Sequence, residues 1–231
     1  MTNSLSTPAQ DIALDTARIL LKTRSVLLNP SEPFTLTSGR KSPVYVDCRR
    51  LISFPQERSR LMDYAAQIIL EACDKPPELI AGGETAGIPY AAYISERLKC
   101  PMIYVRKSPK GFGRMAQIEG SLEKDNPRGV LVEDLQTDGG SKEVFVKAMR
   151  QAGIQVKHCF VIFHYGIFEK SQDNMRSLGI QLHFLTDWWH ILKAAKKDSI
   201  FDIKDLQDVE AFLKDPENWS PGNLSSKSNE A

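Results

Sequence analysis

The sequence contains few cysteines, and none of them are paired at metal-ligand or redox spacing. Cys48, Cys73, Cys100 and Cys159 are far apart, so reduced thiols are expected rather than a disulfide framework or a zinc site. No apolar run approaches the roughly 20 residues that cross a bilayer. The first residues, MTNSLSTPAQD, lack the apolar core of a signal peptide. These absences predict a cytoplasmic protein that does not enter a membrane.

The chain also lacks a substantial net charge of either sign. Its 30 Lys and Arg residues balance 29 Asp and Glu residues, which gives a formal charge of +1. No global field therefore favours nucleic acid or an acidic membrane, and any anion site must come from local clustering. The length of 231 residues, with 42% hydrophobic and 26% charged residues, suits a soluble enzyme or binding protein with a full core.

Apolar segments alternate with amphipathic segments through most of the chain. Residues 8–28 and 55–73 have helical spacing, and residues 33–53 have the Thr, Val and Tyr content of a β hairpin. From residue 78 onward, apolar strands such as ELIAGG and RGVLVEDL are separated by helices such as SKEVFVKAMRQAG. Such strands are typical of a parallel sheet that helices cover on both faces. We predict a doubly wound α/β domain.

The same pattern predicts how the chain is divided. Residues 1–54 are expected to form an N-terminal helix and a small β-containing hood, and residues 55–200 to form the α/β core. Residues 201–219 are expected to add a C-terminal helical extension. The polar tail, residues 220–231, has the composition of a disordered segment.

Three segments of unusual composition follow strands of the predicted sheet. They are GGETAG (82–87), RKSPKGFGRMAQIEG (106–120) and EDLQTDGGS (133–141). In open α/β sheets, ligands bind beyond the carboxyl ends of the strands. The shared position of the three segments therefore indicates one ligand site.

The segment EDLQTDGGS combines two adjacent carboxylates with a glycine turn. Glu133 and Asp134 end an apolar strand, and their repulsion must be offset by solvent, a cation or a polyhydroxylated ligand. The glycines allow a tight turn, and Ser141 and Lys142 begin a helix whose N-terminus favours an anion. A ribose phosphate would satisfy both halves. The alternative is a glycine-rich turn with solvated acids; a Walker A loop is absent.

The other two segments also allow two interpretations each. Residues 106–120, hereafter the cationic segment, carry Arg106, Lys107, Lys110 and Arg114 among Gly and Pro residues. They form either a lid over a polyphosphate or a solvated surface loop. GGETAG either lets a pyrophosphate approach the backbone closely or serves as an ordinary connection.

Together these segments resemble a known family. EDLQTDGGS resembles the phosphoribosyl-pyrophosphate (PRPP) signature of type I phosphoribosyltransferases. FTLTSGRKSPVYVDCR, AGGETAGIPYAA and YVRKSPKGFGRMAQIEG are similar to segments of the orotate phosphoribosyltransferase family, in the same order, from about Phe34 to Gly153. The resemblance implies a type I phosphoribosyltransferase-like fold, with a hood over a central parallel sheet. It also implies the transfer of phosphoribose from PRPP to orotate, which yields orotidine 5′-monophosphate and pyrophosphate.

The resemblance also implies roles for individual residues. Glu133 and Asp134 would hold the ribose 2′- and 3′-hydroxyls, and Lys41 would lie beside the base and PRPP. The substrate-binding segments would further include Thr85, Leu135, Gln136, Thr137, Asp138, Gly139, Gly140 and Ser141, the last five around the 5′-phosphate.

The catalytic group implied by the resemblance is Arg106, Lys107 and Lys110, acting with Asp134. The three cations would reach the pyrophosphate from across the interface of a homodimer. Magnesium would arrive bound to PRPP, and no protein ligand is assigned to it.

The chain departs from the family pattern in the cationic segment and after the strand CFVIFHYGIF. Arg114 and Met115 stand where the family's lid usually has small or acidic residues. Phe112 stands where the family's lid usually carries a histidine, and His164 and Tyr165 stand near the place of an orotate-binding arginine. Two alternatives therefore stay open: a phosphoribosyltransferase for another base, and a PRPP-sensing regulator without catalysis. The regulator is disfavoured because no helix-turn-helix precedes the domain and the cationic segment keeps its cations.

Overall fold

A computed structural model describes residues 5–6, 9–35, 39, 41–111, 117–137 and 140–220. The helices are α1 (Gln10–Lys22), a 3-10 helix (Cys48–Ser53), α2 (Pro55–Ala72), α3 (Gly87–Leu98), α4 (Gly140–Gln151), α5 (Glu169–Ser177), α6 (Trp188–Lys197) and α7 (Ile203–Lys214). The strands are β1 (Leu5–Ser6), β2 (Val26–Leu28), β3 (Phe34–Thr35), β4 (Lys41–Ser42), β5 (Val44–Val46), β6 (Leu79–Gly83), β7 (Met102–Val105), β8 (Ile118–Glu119), β9 (Arg128–Gln136), β10 (Gln155–His164) and β11 (Gln181–Asp187).

Among the described residues, the main sheet has seven strands in the order β1-β11-β10-β9-β6-β7-β8. Six of them are parallel, and β8 pairs with β7 in the antiparallel direction. The predicted α/β domain with a parallel sheet is thus confirmed. The long apolar strands had been predicted, whereas the two-residue edge strands β1 and β8 had not.

Helices cover both faces of this sheet. Because side chains alternate along a strand, Val130 and Val132 of β9 face a core that includes α1, α2, α3, α6 and α7. Leu131 faces the opposite core, which includes α4 and Met175 of α5. This double coverage explains why the central strands are apolar on both faces.

The hood consists of two small antiparallel ladders. β2 pairs with β5, and β3 pairs with β4. The helix predicted over residues 8–28 is wrong beyond Lys22, because its last three residues form β2. The helix ends where the Thr23 hydroxyl donates to the Ile19 carbonyl (2.8 Å) and Arg24 takes a left-handed φ of 53°.

The N-terminal helix also packs on the main domain. α1 contacts α6 and β11, and the buried Thr186 hydroxyl donates to the Ala13 carbonyl at 2.9 Å. At the other end of the chain, Trp219 packs edge-on against Phe212 of α7, with ring centroids 5.6 Å apart. Among the described residues, no helix is both long enough and apolar enough to cross a membrane.

Candidate ligand site at the carboxyl ends of the strands

A cleft of about 420 Å³ lies beyond the carboxyl ends of β6 and β9. Four parts of the chain meet there: the end of β5, the turn before α3, the start of the cationic segment, and the turn between β9 and α4. The lining residues are Tyr45, Val46, Asp47, Arg49, Glu84, Thr85, Ala86, Lys107, Glu133, Asp134, Leu135, Thr137 and Lys142. The three segments singled out in the sequence therefore meet at one site.

The adjacent acids of β9 point to opposite faces of the strand, because side chains alternate there. Glu133 is buried on the α4 side, where its Oε2 lies 2.9 Å from the Nζ of Lys142. Asp134 points to the side of Cys48 and Tyr90, whose pKa values it helps to raise. The repulsion between the two acids is therefore reduced by separation and by a counter-cation.

The pKa of Asp134 is raised above its ordinary value. Burial is the main cause and the charge of Glu133 the second, while Lys142 and backbone hydrogen bonds act in the opposite direction. Asp134 is thus an acid whose ionisation depends on its neighbours. Perturbed carboxyls in clefts are typical of functional sites, although structural ion pairs also produce them.

Lys142 is a site residue that the sequence analysis did not single out for chemistry. Its side chain is 3% exposed, and its Nζ donates to the Leu135 carbonyl at 2.6 Å in addition to the Glu133 contact. A lysine in the first turn of a helix is ordinarily solvent-exposed. The one signal in the sequence was its place, nine residues after the first of two adjacent acids.

Close backbone contacts fix the distance between α3 and β9. A Cβ at Gly83 would lie 2.7 Å from the Glu133 Oε1, and one at Gly87 would lie 2.2 Å from the Val132 carbonyl oxygen. A Cβ at Gly83 would displace the Glu133 side chain, and one at Gly87 would displace the backbone of β9, so glycine fits best at both positions. The glycines of GGETAG therefore act here by allowing close packing beside the acids.

The predicted cations are divided between two places. Lys107 lines the cleft, and its backbone N–H donates to the Glu84 Oε2 at 2.8 Å. Arg106 and Lys110 instead approach the Glu119 Oε1 of β8, at 3.7 and 3.5 Å. Phe112, Arg114 and Met115 lie outside the described residues.

The hood contributes polar residues that the sequence analysis missed. Arg49 at the start of the 3-10 helix donates to the Asp47 Oδ1 at 2.7 Å, and this bond is the main cause that raises its pKa. Lys41 lies on the hood hairpin, where its Nζ donates to the Thr35 hydroxyl at 2.7 Å, and it is outside the cleft lining.

The remaining predicted residues fall into four groups. Thr85, Leu135 and Thr137 line the cleft. Gln136 does not; it is fully buried, and its Nε2 donates to the Ser171 hydroxyl at 3.1 Å. Gly140 begins α4. Asp138, Gly139 and the Ser141 side chain lie outside the described part of the chain, as does the predicted tail beyond residue 220.

His164 and Tyr165, the residues at the departure from the family pattern, are buried at the end of β10. Tyr165 packs edge-on against Phe163 and Trp188, with centroid distances of 5.7 and 5.6 Å. Burial lowers the pKa of His164 to about 4, so the imidazole is neutral near pH 7. The His164 ring packs against Phe184, with ring centroids 5.1 Å apart, so both His164 and Tyr165 belong to the packed interior.

The chain is similar in sequence and in fold to proteins named orotate phosphoribosyltransferase. No family model matches the chain. The chain is 50% identical over 213 residues to an orotate phosphoribosyltransferase of Cereibacter sphaeroides, which covers 92% of this chain and 91% of that protein. It is 49% identical over 220 residues to the orotate phosphoribosyltransferase of a Ruegeria species, covering 93% and 95%.

Solved structures agree in fold. The structure of orotate phosphoribosyltransferase from Aeropyrum pernix matches with a TM-score of 0.65 and 30% identity, over 80% of this chain and 99% of that one. Leishmania donovani UMP synthase matches with a TM-score of 0.72 and 27% identity, over 87% of this chain and 42% of that chain.

Proposed function

Because the chain belongs to the orotate phosphoribosyltransferase family, we propose that it transfers the 5-phosphoribosyl group of PRPP to orotate. The products are orotidine 5′-monophosphate and pyrophosphate, in pyrimidine biosynthesis. The observation that carries the proposal is the 50% identity to a named orotate phosphoribosyltransferase over 92% of this chain. The cleft at the ends of β6 and β9 supports it, because it joins two acids with a helix N-terminus.

In this proposal the ribose phosphate lies along the turn between β9 and α4. Asp134 and Glu133 accept hydrogen bonds from the ribose 2′- and 3′-hydroxyls, since carboxylates are acceptors for such donors. Thr137 and the N-terminus of α4 receive the 5′-phosphate, because the first N–H groups of a helix are unpaired and its dipole favours an anion. Thr85 lines the same cleft.

The chemistry requires stabilisation of opposite charges at two points. As pyrophosphate leaves, the ribose ring gains oxocarbenium-like positive charge, which an ionised Asp134 stabilises. The departing pyrophosphate gains negative charge, which Lys107, Arg106 and Lys110 stabilise. Fixed charges of this kind act most strongly in a site from which water is excluded. No covalent nucleophile is needed for this path.

Arg106 and Lys110 must turn away from Glu119 to reach pyrophosphate. Their contacts with Glu119 are long, and the Lys110 side chain is 71% exposed. Ion pairs this exposed contribute on the order of 0–1 kcal/mol, so their loss is readily offset by contacts with a polyphosphate. The Glu119 contacts therefore do not prevent closure of the cationic segment over its ligand.

Magnesium fits this site as a partner of the substrate. Within the described ranges, no group of three or more His, Cys, Asp or Glu side chains could hold a metal ion. Mg²⁺ commonly keeps several waters and binds substrate phosphates with few protein ligands, so the oxygens of PRPP would hold it here. When bound, it would neutralise charge on the leaving pyrophosphate.

We further place the enzyme in the cytoplasm as a homodimer. All four cysteines are free thiols, which suits a reducing compartment. In the dimer, Arg106 and Lys110 of one cationic segment would serve the site of the partner subunit, while Lys107 would serve the cleft that it lines. No nucleic acid or membrane partner is proposed.

The direct test is an assay with PRPP, magnesium and a panel of nucleobases, in which pyrophosphate release is followed. Release with orotate above every other base supports the proposal. Release with a different base would assign the chain to another phosphoribosyl acceptor. PRPP binding without release for any base would favour a PRPP-sensing regulator.

A further inference from the structure

Lys142 occupies an environment that is unfavourable for a lysine. It is 3% exposed, and it lies in the first turn of α4, where the helix dipole opposes a positive charge. A buried ammonium is costly unless it is paired and hydrogen-bonded. If packing alone were required here, an apolar side chain would serve as well or better.

The contacts of Lys142 lie on both sides of Asp134 in the chain. Its Nζ is 2.9 Å from the Glu133 Oε2 and 2.6 Å from the Leu135 carbonyl oxygen. One ammonium group therefore holds the residue before Asp134 through its side chain and the residue after Asp134 through its backbone. It also joins the end of β9 to the start of α4, the two elements that flank the turn proposed to receive the 5′-phosphate.

We propose that Lys142 is a positioning residue of the PRPP site: it fixes the acid-bearing end of β9 and partly offsets the charge of Glu133, so that Asp134 stays ionised. This inference rests on the proposed function of the same site. It assigns to Lys142 no contact with the substrate. The carboxylate that meets the developing charge of the ribose is Asp134.

Electrostatics give the sign of the effect. Burial and Glu133 raise the pKa of Asp134, and Lys142 lowers it. Removal of the Lys142 charge would raise the Asp134 pKa further, whereas removal of the Glu133 charge would lower it. The ionisable groups that face Asp134, or share its cleft, are Tyr45, Asp47, Cys48, Arg49, Glu84, Tyr90, Lys107, Glu133 and Lys142.

The test compares pH profiles of kcat/KM for PRPP in the wild type, Lys142→Met, Lys142→Arg and Glu133→Gln. In Lys142→Met, the acid limb should move up by about one pH unit, and kcat should fall about tenfold with little change in KM for orotate. Lys142→Arg keeps the charge and should restore most of the profile. The matched control is Lys147→Met on the same helix, which removes an exposed ion pair with Glu143.

Glu133→Gln keeps the inference testable even if Lys142→Met does not fold. The amide has the shape of the carboxylate and can still accept from the Lys142 Nζ, so the variant should fold. Its acid limb should move to lower pH, opposite to that of Lys142→Met. An acid limb that stays in place or moves up in Glu133→Gln overturns the inference. An unchanged acid limb in a folded Lys142→Met protein would also overturn the inference. If the wild type released no pyrophosphate in the presence of orotate, the proposed function itself would be overturned.

Discussion

The backbone of Gly87 lies directly against Val132, so that a Cβ at Gly87 would come within 2.2 Å of the Val132 carbonyl oxygen. Gly87 is the first residue of α3, and Val132 precedes the two acids of β9. The contact therefore sets how closely α3 approaches the strand end that forms one wall of the cleft. From α3, the Tyr90 hydroxyl donates to the Cys48 carbonyl at 2.5 Å and ties the hood to the same wall.

Gly87→Ala should destabilise the protein and impair the site together. The added methyl must displace backbone, and overpacking of this kind costs about 1–3 kcal/mol. Urea unfolding and turnover should both show the loss. The matched control for stability is Gly111→Ala, because a Cβ at Gly111 would meet no atom of the described residues within 4 Å. Equal stability of the two variants would show that α3 can shift without cost.

Asp134→Asn should fold normally and lose most turnover. The amide keeps the shape of the side chain but removes the charge that stabilises the oxocarbenium-like ribose, a loss of about 10²–10³ in kcat by analogy with other electrostatic site groups. Steady-state kinetics and PRPP affinity, measured separately, check this expectation. Near-normal kcat in the variant would remove Asp134 from the transition state.

A mixture of Lys110→Ala and Asp134→Asn proteins should regain activity that neither protein has alone. Random exchange in a twofold dimer makes about half of the dimers mixed, and each mixed dimer would contain one intact site if the cations act across the interface. Activity should then approach about a quarter of the wild-type value. The measurement needs proof of subunit exchange, for example with differently tagged chains. No recovery after exchange would place the cations over their own site.

Stability should fall on acidification through the region where buried histidines titrate. Burial lowers the pKa of His164 and of His183 to about 4, against 6.5 in an open chain. Between these values the unfolded state binds more protons, so the free energy of unfolding decreases as pH falls from about 6.5 towards about 4, by on the order of 2 kcal/mol per histidine. Urea unfolding at several pH values measures this slope.

His183→Gln provides the comparison for that slope. His183 is fully buried, and its Nε2 shares a 3.0 Å hydrogen bond with the Nδ1 of His158, whose pKa burial also lowers. Replacement by a neutral amide should make the acid loss of stability shallower. A slope as steep as that of the wild type would mean that other groups, such as His164 or the carboxylates, cause the acid sensitivity.

Much of the fold was readable from the sequence because periodicity is strong where strands are buried on both faces. The segments that became β6, β9 and β10 are nearly continuous apolar runs, and only a parallel sheet accommodates such runs in alternation with helices. The helix predicted over residues 8–28 wrongly includes the apolar residues 26–28, because a run of three residues fits the helical and the strand periodicity equally well. Fifteen residues lie between this triplet and its partner β5, so local pattern could not predict the pairing.

The site was predictable to the extent that it depends on strand ends. The rule that ligands bind beyond the carboxyl ends of parallel strands predicts that Thr85, Lys107 and the β9 acids share one cleft, as they do. The rule could not show that β9 continues through Gln136 and turns this side chain into the core. Nor could it show that Lys142 is buried, because that follows from the contact of α4 with the opposite face of the sheet.

The two-residue strands at the margins of the main sheet have a consequence for association between chains. An open parallel sheet presents unpaired N–H and C=O groups along its outer strands, and these groups invite strand addition by another chain. Here the outermost strands are β1 and β8, each two residues long, and β8 reverses direction and carries the charged Glu119. The longer strands β7 and β11 are thereby shielded over part of their length, which limits edge-to-edge aggregation.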